Sequence, residues 1–301
     1  MTYKFDIAVL TDSRYVNPPM IDDYIQNILN EDQMVVDALE SKGLKVIRVD
    51  WSNQQFDWTS VKTAIFRTTW DYFDRFDEFM QWLQSVKDHL GFINPIDLVL
   101  WNLDKHYLLD LQKKGISIPE TYFVERGSIL SLKEVVSGKS WDDFILKPAV
   151  SGAARHTYKI NKGNIDQYEQ VFKDLVAAES MLIQPFLTSV LSEGEVALMY
   201  FGRKYSHAIR KIAKPGDFRV QDDFGGTVHH YTPTQQEIAL GEEAILACDP
   251  QPVYARVDLI NDNNGQAAIS ELELIEPELW FRFKPEAANA LADAIITHIN
   301  H

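Results

Sequence analysis

Cysteine is almost missing from this chain: Cys248 is the only one among 301 residues. A single thiol excludes an intrachain disulfide and fits a reducing compartment. Flanked by Ala247 and Asp249, it has no companion suited to a nucleophile, so a structural place at a helix end is expected. Long apolar runs are also lacking. No segment approaches the roughly 18 consecutive apolar residues of a membrane span. The opening Met1-Thr2-Tyr3-Lys4-Phe5-Asp6-Ile7 lacks the form of a secretory signal, so a cytoplasmic protein with no membrane partner is expected. Positive charge is scarce: 29 Lys and Arg stand against 44 Asp and Glu, a net charge of −15. That balance excludes general nucleic-acid binding but leaves room for a local basic pocket. His229-His230 has no companions at zinc-site spacing, and neither a Gly-x-Ser-x-Gly elbow nor a Cys–His arrangement occurs. The first strand runs into Leu10-Thr11-Asp12-Ser13-Arg14 without a glycine-rich fingerprint, which excludes a dinucleotide site of the usual kind.

What is present is enough apolar sequence, 46% of residues, for a sizeable core in two or three subdomains. The first hundred residues alternate strand and helix. Strands are expected at Phe5–Leu10, Leu44–Trp51 and Val61–Phe66, with helices at Asp32–Lys42 and Arg75–Leu90, each helix ended by a glycine. This alternation favours an open parallel α/β sheet. Beyond it come a helix over 104–114, a strand-rich region with segments at 144–148, 181–186, 196–201 and 205–212, a helix over 234–247, and a final helix over 285–299.

An acidic hairpin lies between the last two helices. Asn264-Gly265 separates two alternating apolar runs and predicts a two-residue turn. With that turn Asp258 lies opposite Glu271, and Arg256 opposite Glu273. Residues two apart share a face, so all four converge. Facing like charges destabilise a sheet, and clustered hard oxygens suit magnesium or manganese. Spacing alone leaves a metal site and a solvated polar face equally open.

Upstream, Lys147 ends an apolar strand just before Pro148 and the small-residue loop Ser151-Gly152-Ala153-Ala154. A strand-end lysine beside exposed loop amides can hold phosphate oxygens, although an ordinary turn fits too. Arg210, Lys211 and Arg219 form a second basic set, a polyphosphate contact or a solvated surface. Gln184-Pro185-Phe186-Leu187 reads as a strand end at a hinge, with Pro185 suggesting an edge or crossover. Ligands of open α/β sheets bind beyond the strand carboxyl ends. Arg14, and the stretch Arg67-Thr-Thr-Trp70-Asp71-Tyr72, occupy such places and are candidates to hold a carboxylate or amino-acid substrate.

Taken in order, these pieces resemble the ATP-grasp superfamily from about Leu103 onward. The resemblance is carried by Lys105 leading to Gly115-Ile-Ser-Ile-Pro119, by Phe144-Ile-Leu-Lys147-Pro148, and by Gln184-Pro-Phe-Leu187. Gly216-Asp-Phe-Arg219 with Gly225-Gly226, and Arg256-Val-Asp258 followed by Glu271-Leu-Glu273, complete it. Arg67-Thr-Thr-Trp70-Asp71-Tyr72, Asn94-Pro95, Trp101-Asn102 and Glu273-Leu-Ile-Glu276-Pro277 are similar to the D-cycloserine-ligase-like branch. The resemblance implies an α/β (α+β) fold: a pre-ATP-grasp α/β domain over 1–102, then subdomains over 103–187 and 188–301 that clasp ATP. It implies that Lys105, Lys147, Ser151 and Gly152 meet the nucleotide, that Gln184, Pro185, Phe186 and Leu187 read the adenine, and that Glu195, or else Glu193, takes the ribose side. Arg210 and Arg219 would stabilise phosphate charge, with Lys211 beside them, and Arg256 would contact the acyl intermediate. Asp258, Glu271 and Glu273 would bind two Mg2+, or Mn2+. Family members often carry asparagine where Glu273 stands.

The expected activity is an ATP-dependent carboxylate–amine ligase acting through an acylphosphate on a small amino-acid-like or peptide substrate, intermolecular or cyclising. An ATP-grasp kinase and a non-catalytic ATP-binding module are the alternatives. A homodimer is compatible with this reading.

Overall fold

The structure, a computed structural model, describes residues 3–220 and 224–300; residues 1–2, 221–223 and 301 lie outside it. Three sheets surround one cleft. The first is parallel and has the order β2-β1-β3-β4, with β1 Phe5–Thr11, β2 Val46–Asp50, β3 Val61–Thr68 and β4 Gly91–Ile93. The second has the order β5-β8-β6-β7, with β5 Tyr122–Val124, β6 Asp143–Pro148, β7 Tyr158–Asn161 and β8 Met181–Pro185. The third has the order β11-β10-β9-β12-β13, with β9 Glu195–Phe201, β10 Lys204–Ile212, β11 Thr227–Tyr231, β12 Tyr254–Asn261 and β13 Ala267–Glu273. Both later sheets are antiparallel. Among the described residues no helix is long and apolar enough to cross a membrane.

The helix Asp23–Ser41 is longer than the expected Asp32–Lys42. Asp22 caps it by accepting from the Ile25 amide at 2.8 Å. Its buried face includes Glu31 and Asp32, which break the apolar period and hid the first half of the helix from the sequence. Both acids have partners: Glu31 meets Arg67, and Asp32 meets Arg48 and Thr68. The helix Ile165–Ala178 and strands β4, β7 and β11 were not expected from the sequence at all.

The sheets are not independent bodies. One core joins Ile7, Val9, Val35 and Leu39 of the first layer to Met199 and Phe201 of β9 through Leu291 and Ile295 of the helix Ala287–Ile299. A second core packs the other face of the third sheet against Leu108, Leu111, Ala244 and Ile245.

The edge of β13 is covered by side chains instead of another strand. Asn94 donates from Nδ2 to the carbonyls of Tyr254 and Leu274, each at 2.8 Å, and accepts from the Val253 and Tyr254 amides. Asn102 bonds the Leu272 carbonyl at 2.7 Å and the Leu274 amide at 2.9 Å, while the Tyr107 hydroxyl accepts from the Leu272 amide at 2.9 Å. Backbone groups that an exposed edge would leave open are thus satisfied, and the acid-bearing strand is fixed.

Pro185 departs from its sequence reading. Its strand, β8, lies between β5 and β6, yet Pro185 pairs only with Phe144, past the three residues that β5 covers. Its missing amide therefore leaves no gap in the ladder.

Candidate active site

A cleft of ≈ 360 Å³ opens between the second and third sheets and the carboxyl ends of β1 and β3. The acidic hairpin forms its floor. Arg256 lies opposite Glu273 and Asp258 opposite Glu271, as the sequence predicts. The turn does not match. Pairing near it is Asn261 with Ala267, so a five-residue loop replaces the two-residue turn. Asp262 drives the change: its Oδ1 accepts from the amides of Asn264 and Gln266, both at 2.8 Å. That loop shifts the register by one. A β-bulge at Ser270 shifts it back, because Leu259 pairs with Ile269 while Asp258 pairs with Glu271. The Ser270 hydroxyl bonds the Asp258 carbonyl and Glu195, each at 3.0 Å. Without the bulge, Glu271 and Glu273 would turn toward the apolar face that buries Val257.

Cations converge on this floor. Lys147 Nζ lies 3.2 Å and Lys105 Nζ 3.7 Å from Glu271 Oε1, and Lys105 also donates to the Ser151 carbonyl at 2.6 Å. Burial pushes the Glu271 carboxyl up, but Lys105 and Lys147 outweigh it and hold it at about 2. Asp258 accepts from Arg256 on both oxygens and from Lys211 at 2.9 Å. Against burial, Arg256 and Lys211 hold it below the usual carboxylate range. Lys211 also pairs with Glu195, whose carboxyl burial raises against that pairing. Gly194 makes this approach possible: its φ is +76°, and a Cβ there would lie 2.2 Å from the Lys211 carbonyl oxygen. Glu273 pairs with Arg256. Burial, resisted by Arg256 and aided by Asp258 and Glu271, nonetheless raises its carboxyl to about 7.

Gln184, Pro185, Phe186 and Leu187 line the cleft opposite this floor, and Gln184 donates to Thr121 Oγ1 at 2.9 Å. Ser151 and Gly152 line it too. The loop is poor in glycine, yet Ala153 and Ala154 take φ values of 47° and 53°, the left-handed region that glycine favours. A Cβ on Gly152 would lie 2.5 Å from Phe73, so this loop rests on the segment that follows β3. Arg219 lines the cleft, held by Asp217 at 2.6 Å.

Four sequence candidates lie elsewhere. Arg67 is buried in the interior, bonded to Glu31 at 2.7 Å and to the Pro277 carbonyl at 3.0 Å. Asp71 accepts from Trp51 and pairs with Arg75. Arg210 neighbours Lys211, and strand alternation sends it to the opposite face, 4.2 Å over the Tyr231 ring. Glu193 bonds Asn261 at 2.6 Å outside the cleft, which leaves Glu195 as the acid that lines it. Arg14 and Trp70 do line it, Arg14 with a partner in Asp12 at 2.6 Å. His207 and Cys248 are structural: the His207 ring bonds the Leu279 carbonyl, and burial pushes the thiol up to about 12.

Sequence reasoning gave no role to Glu276 and Trp280, which line the cleft, and Tyr72, which also lines it, entered only as the end of the candidate stretch 67–72. Trp280 has φ 47° and sets its ring 4.9 Å from the Arg256 guanidinium and 5.7 Å from Lys211 Nζ. Glu276 stood in a quoted motif, and its place after the acidic strand was the available signal.

Known proteins share this fold. Residues 7–94 match the family model of the D-cycloserine synthetase DcsG N-terminal domain. The cycloserine biosynthesis protein DcsG of Streptomyces lavendulae is 28% identical over 279 residues, covering 87% of this chain and 91% of that protein. The crystal structure of D-cycloserine synthetase DcsG superposes with a TM-score of 0.83 at 26% identity, covering 97% of this chain and 99% of the other. D-alanine–D-alanine ligase from Bacillus anthracis complexed with ATP shares the fold, with a TM-score of 0.66 at 14% identity over 97% and 96% of the two chains. So does the ATP-grasp ligase PsnB complexed with minimal precursor, Mg and ADP, with a TM-score of 0.63 at 14% identity over 98% of each chain.

The chain has the fold of ATP-grasp ligases and is homologous to DcsG over nearly its whole length, which supports an ATP-dependent ligase function. Its likeness to DcsG matches the D-cycloserine-ligase-like branch that the sequence resembles.

Proposed function

We propose that this protein joins the carboxylate of a small amino-acid-like or peptide substrate to an amine at the expense of ATP, through an acylphosphate, with release of ADP and phosphate. The observation that carries this reading is the meeting of Lys105 and Lys147 at Glu271, in a cleft walled on its other side by Gln184–Leu187. The lysines and the Ser151–Gly152 loop bind the phosphates, Gln184–Leu187 and Glu195 hold the nucleoside, and Lys211, Arg219 and Arg256 balance charge as the γ-phosphoryl moves. Arg14 and Trp70 face the acceptor side of the cleft. Such chemistry needs positioning and charge neutralisation more than a protein nucleophile, in keeping with the missing nucleophile motifs.

The donor set suits Mg2+, or Mn2+. Glu271 and Glu273 stand on one face of the floor beside Asp258, and burial, with Asp258 and Glu271 nearby, raises the Glu273 carboxyl. Hydrogen bonds take Oε1 of Glu271 and of Glu273, and among the described residues none takes Oε2 of either. These two would hold the ions. Both Asp258 oxygens are engaged, so Asp258 joins only by releasing Lys211 or Arg256. Bound metal would supply charge neutralisation on the phosphates. The described residues contain no ready-made group of three metal-holding side chains, so the nucleotide's own oxygens would complete the shell.

The test is a phosphate-release screen over amino acids, dipeptides and ureido compounds, with product masses measured. ADP release should require a carboxylate and Mg2+, and Glu271→Gln should lower it on the order of 100-fold. Full turnover by that variant, or turnover without a divalent ion, would sink the assignment. A phosphorylated product with no coupling would indicate a kinase instead.

A further inference from the structure

Glu276 follows β13 by three residues and points into the same cleft as Glu271 and Glu273. Its backbone is anchored on both sides. The Glu276 carbonyl accepts from Trp70 Nε1 at 2.9 Å, and the Pro277 carbonyl accepts from Arg67, which Glu31 holds in turn. The Tyr72 side chain lines the cleft with Glu276 and interacts with its carboxyl. Among the described residues no lysine or arginine forms an ion pair with Glu276, whereas Glu195, Asp258, Glu271 and Glu273 each have one. Its end of the cleft is lined instead by Tyr15, Trp70, Tyr72, Phe73 and Ile275.

Position along the chain supplies a ruler. Three residues span at most about 10 Å, so Glu276 stands within the length of one small molecule from Glu273, in the same cleft as the phosphate-binding lysines. A donor phosphate at Glu271 and an acyl carbon beyond it would place the attacking group beside Glu276.

We propose that Glu276 takes the proton of the attacking amine when the acylphosphate is captured, with Tyr72 holding its carboxyl in place. This inference rests on the ligase reading above. In that step the amine nitrogen bonds the acyl carbon, the bond from that carbon to the phosphate oxygen breaks, and phosphate leaves with the electron pair. The N–H proton passes to the Glu276 carboxylate and then to water as product departs. The group suits this work because a base acts best when its own affinity for protons lies near the working pH. Burial and the neighbouring Glu273 push the Glu276 carboxyl up to about 8, against Tyr72 and the more distant Lys105. The other charged groups facing this end are Arg14 and Glu278.

The experiment compares wild type, Glu276→Gln and Tyr72→Phe. Each is given ATP, Mg2+ and the carboxylate found by the screen, with either its natural amine or hydroxylamine as acceptor. Hydroxylamine is weakly basic and reacts unprotonated at neutral pH, so it needs no protein base. Product with the natural amine should fall about 100-fold in Glu276→Gln, while hydroxamate should fall severalfold at most. Tyr72→Phe should lie between. Undiminished product in Glu276→Gln, or product and hydroxamate falling together, would overturn the proposal. Wild type forming no hydroxamate with any carboxylate would instead overturn the ligase reading, and this proposal with it.

Discussion

At the residue scale, legibility depended on how far away a side chain's partner lies. Asp258, Glu271 and Glu273 could be placed from their own spacing. Arg67 could not: it sits where ligands of open sheets bind, but its partner is Glu31, 36 residues earlier on a helix whose first half the sequence concealed. Arg210 was legible in principle, since two neighbouring strand residues cannot both face one cleft. His207 is structural, its ring bonded to the Leu279 carbonyl, and its chemistry makes that testable. Burial lowers its imidazole to about 4, so the folded protein keeps it neutral where the unfolded chain would charge it. The unfolded state therefore binds the extra proton below a pH of about 6.5, and stability falls with pH from there down to the folded value. By pH 5 the loss should reach on the order of 2 kcal/mol. In His207→Gln, whose amide can still donate to Leu279, that part of the loss should vanish. Urea unfolding at pH 7 and pH 5 checks this, and equal losses in the two proteins would refute it.

At the element scale, the hairpin reached the expected pairing by an unexpected route. Asn264-Gly265 signalled a turn, but the Asp262 side chain captured two amides and built a longer one, and the Ser270 bulge restored the register. Hydrophobic alternation fixes which face must be buried, so the pairing at the acids survives a different turn. The bulge had no separate sequence signal, because serine after an apolar pair is unremarkable. Glycines carry a similar lesson. Gly194 and Gly265 have φ values of +76° and +77°, yet a Cβ at Gly265 meets nothing within 4 Å, while one at Gly194 meets the Lys211 carbonyl oxygen at 2.2 Å. Gly265→Ala should cost about 1–2 kcal/mol, the left-handed penalty alone, and leave turnover intact. Gly194→Ala should cost about 3 kcal/mol or more and weaken ATP binding, because β9 and β10 must part and carry Glu195 away from Lys211. Denaturant midpoints with nucleotide titrations check the pair; similar costs for both would show that the steric contact is relieved cheaply.

At the scale of the whole molecule, the order of the layers was readable and their docking was not. Strand–helix alternation gave the parallel sheet, and the ordered motifs gave the clasp, because both are local patterns. How the first sheet meets the clasp depends on contacts between residues some 160 to 180 positions apart, such as Asn94 with Tyr254 and Leu274. Asn94-Pro95 and Trp101-Asn102 entered the sequence reading only as points of resemblance. Their physical meaning is that Asn94 and Asn102 seal the open edge of the strand that carries Glu271 and Glu273. Asn94→Ala would leave the Tyr254 and Leu274 carbonyls and the Val253 and Tyr254 amides without their side-chain partner in a fully buried place. Each unsatisfied buried group costs about 1–3 kcal/mol, so a loss of about 4 kcal/mol or more is expected. Because β13 is the strand set free, ATP turnover in the surviving folded fraction should fall as well, although Asn94 lies outside the cleft lining. Urea unfolding, and turnover measured well below the unfolding midpoint, check the two parts separately. A large loss of stability with normal turnover would mean that the edge bonds hold the domains together without positioning the acids.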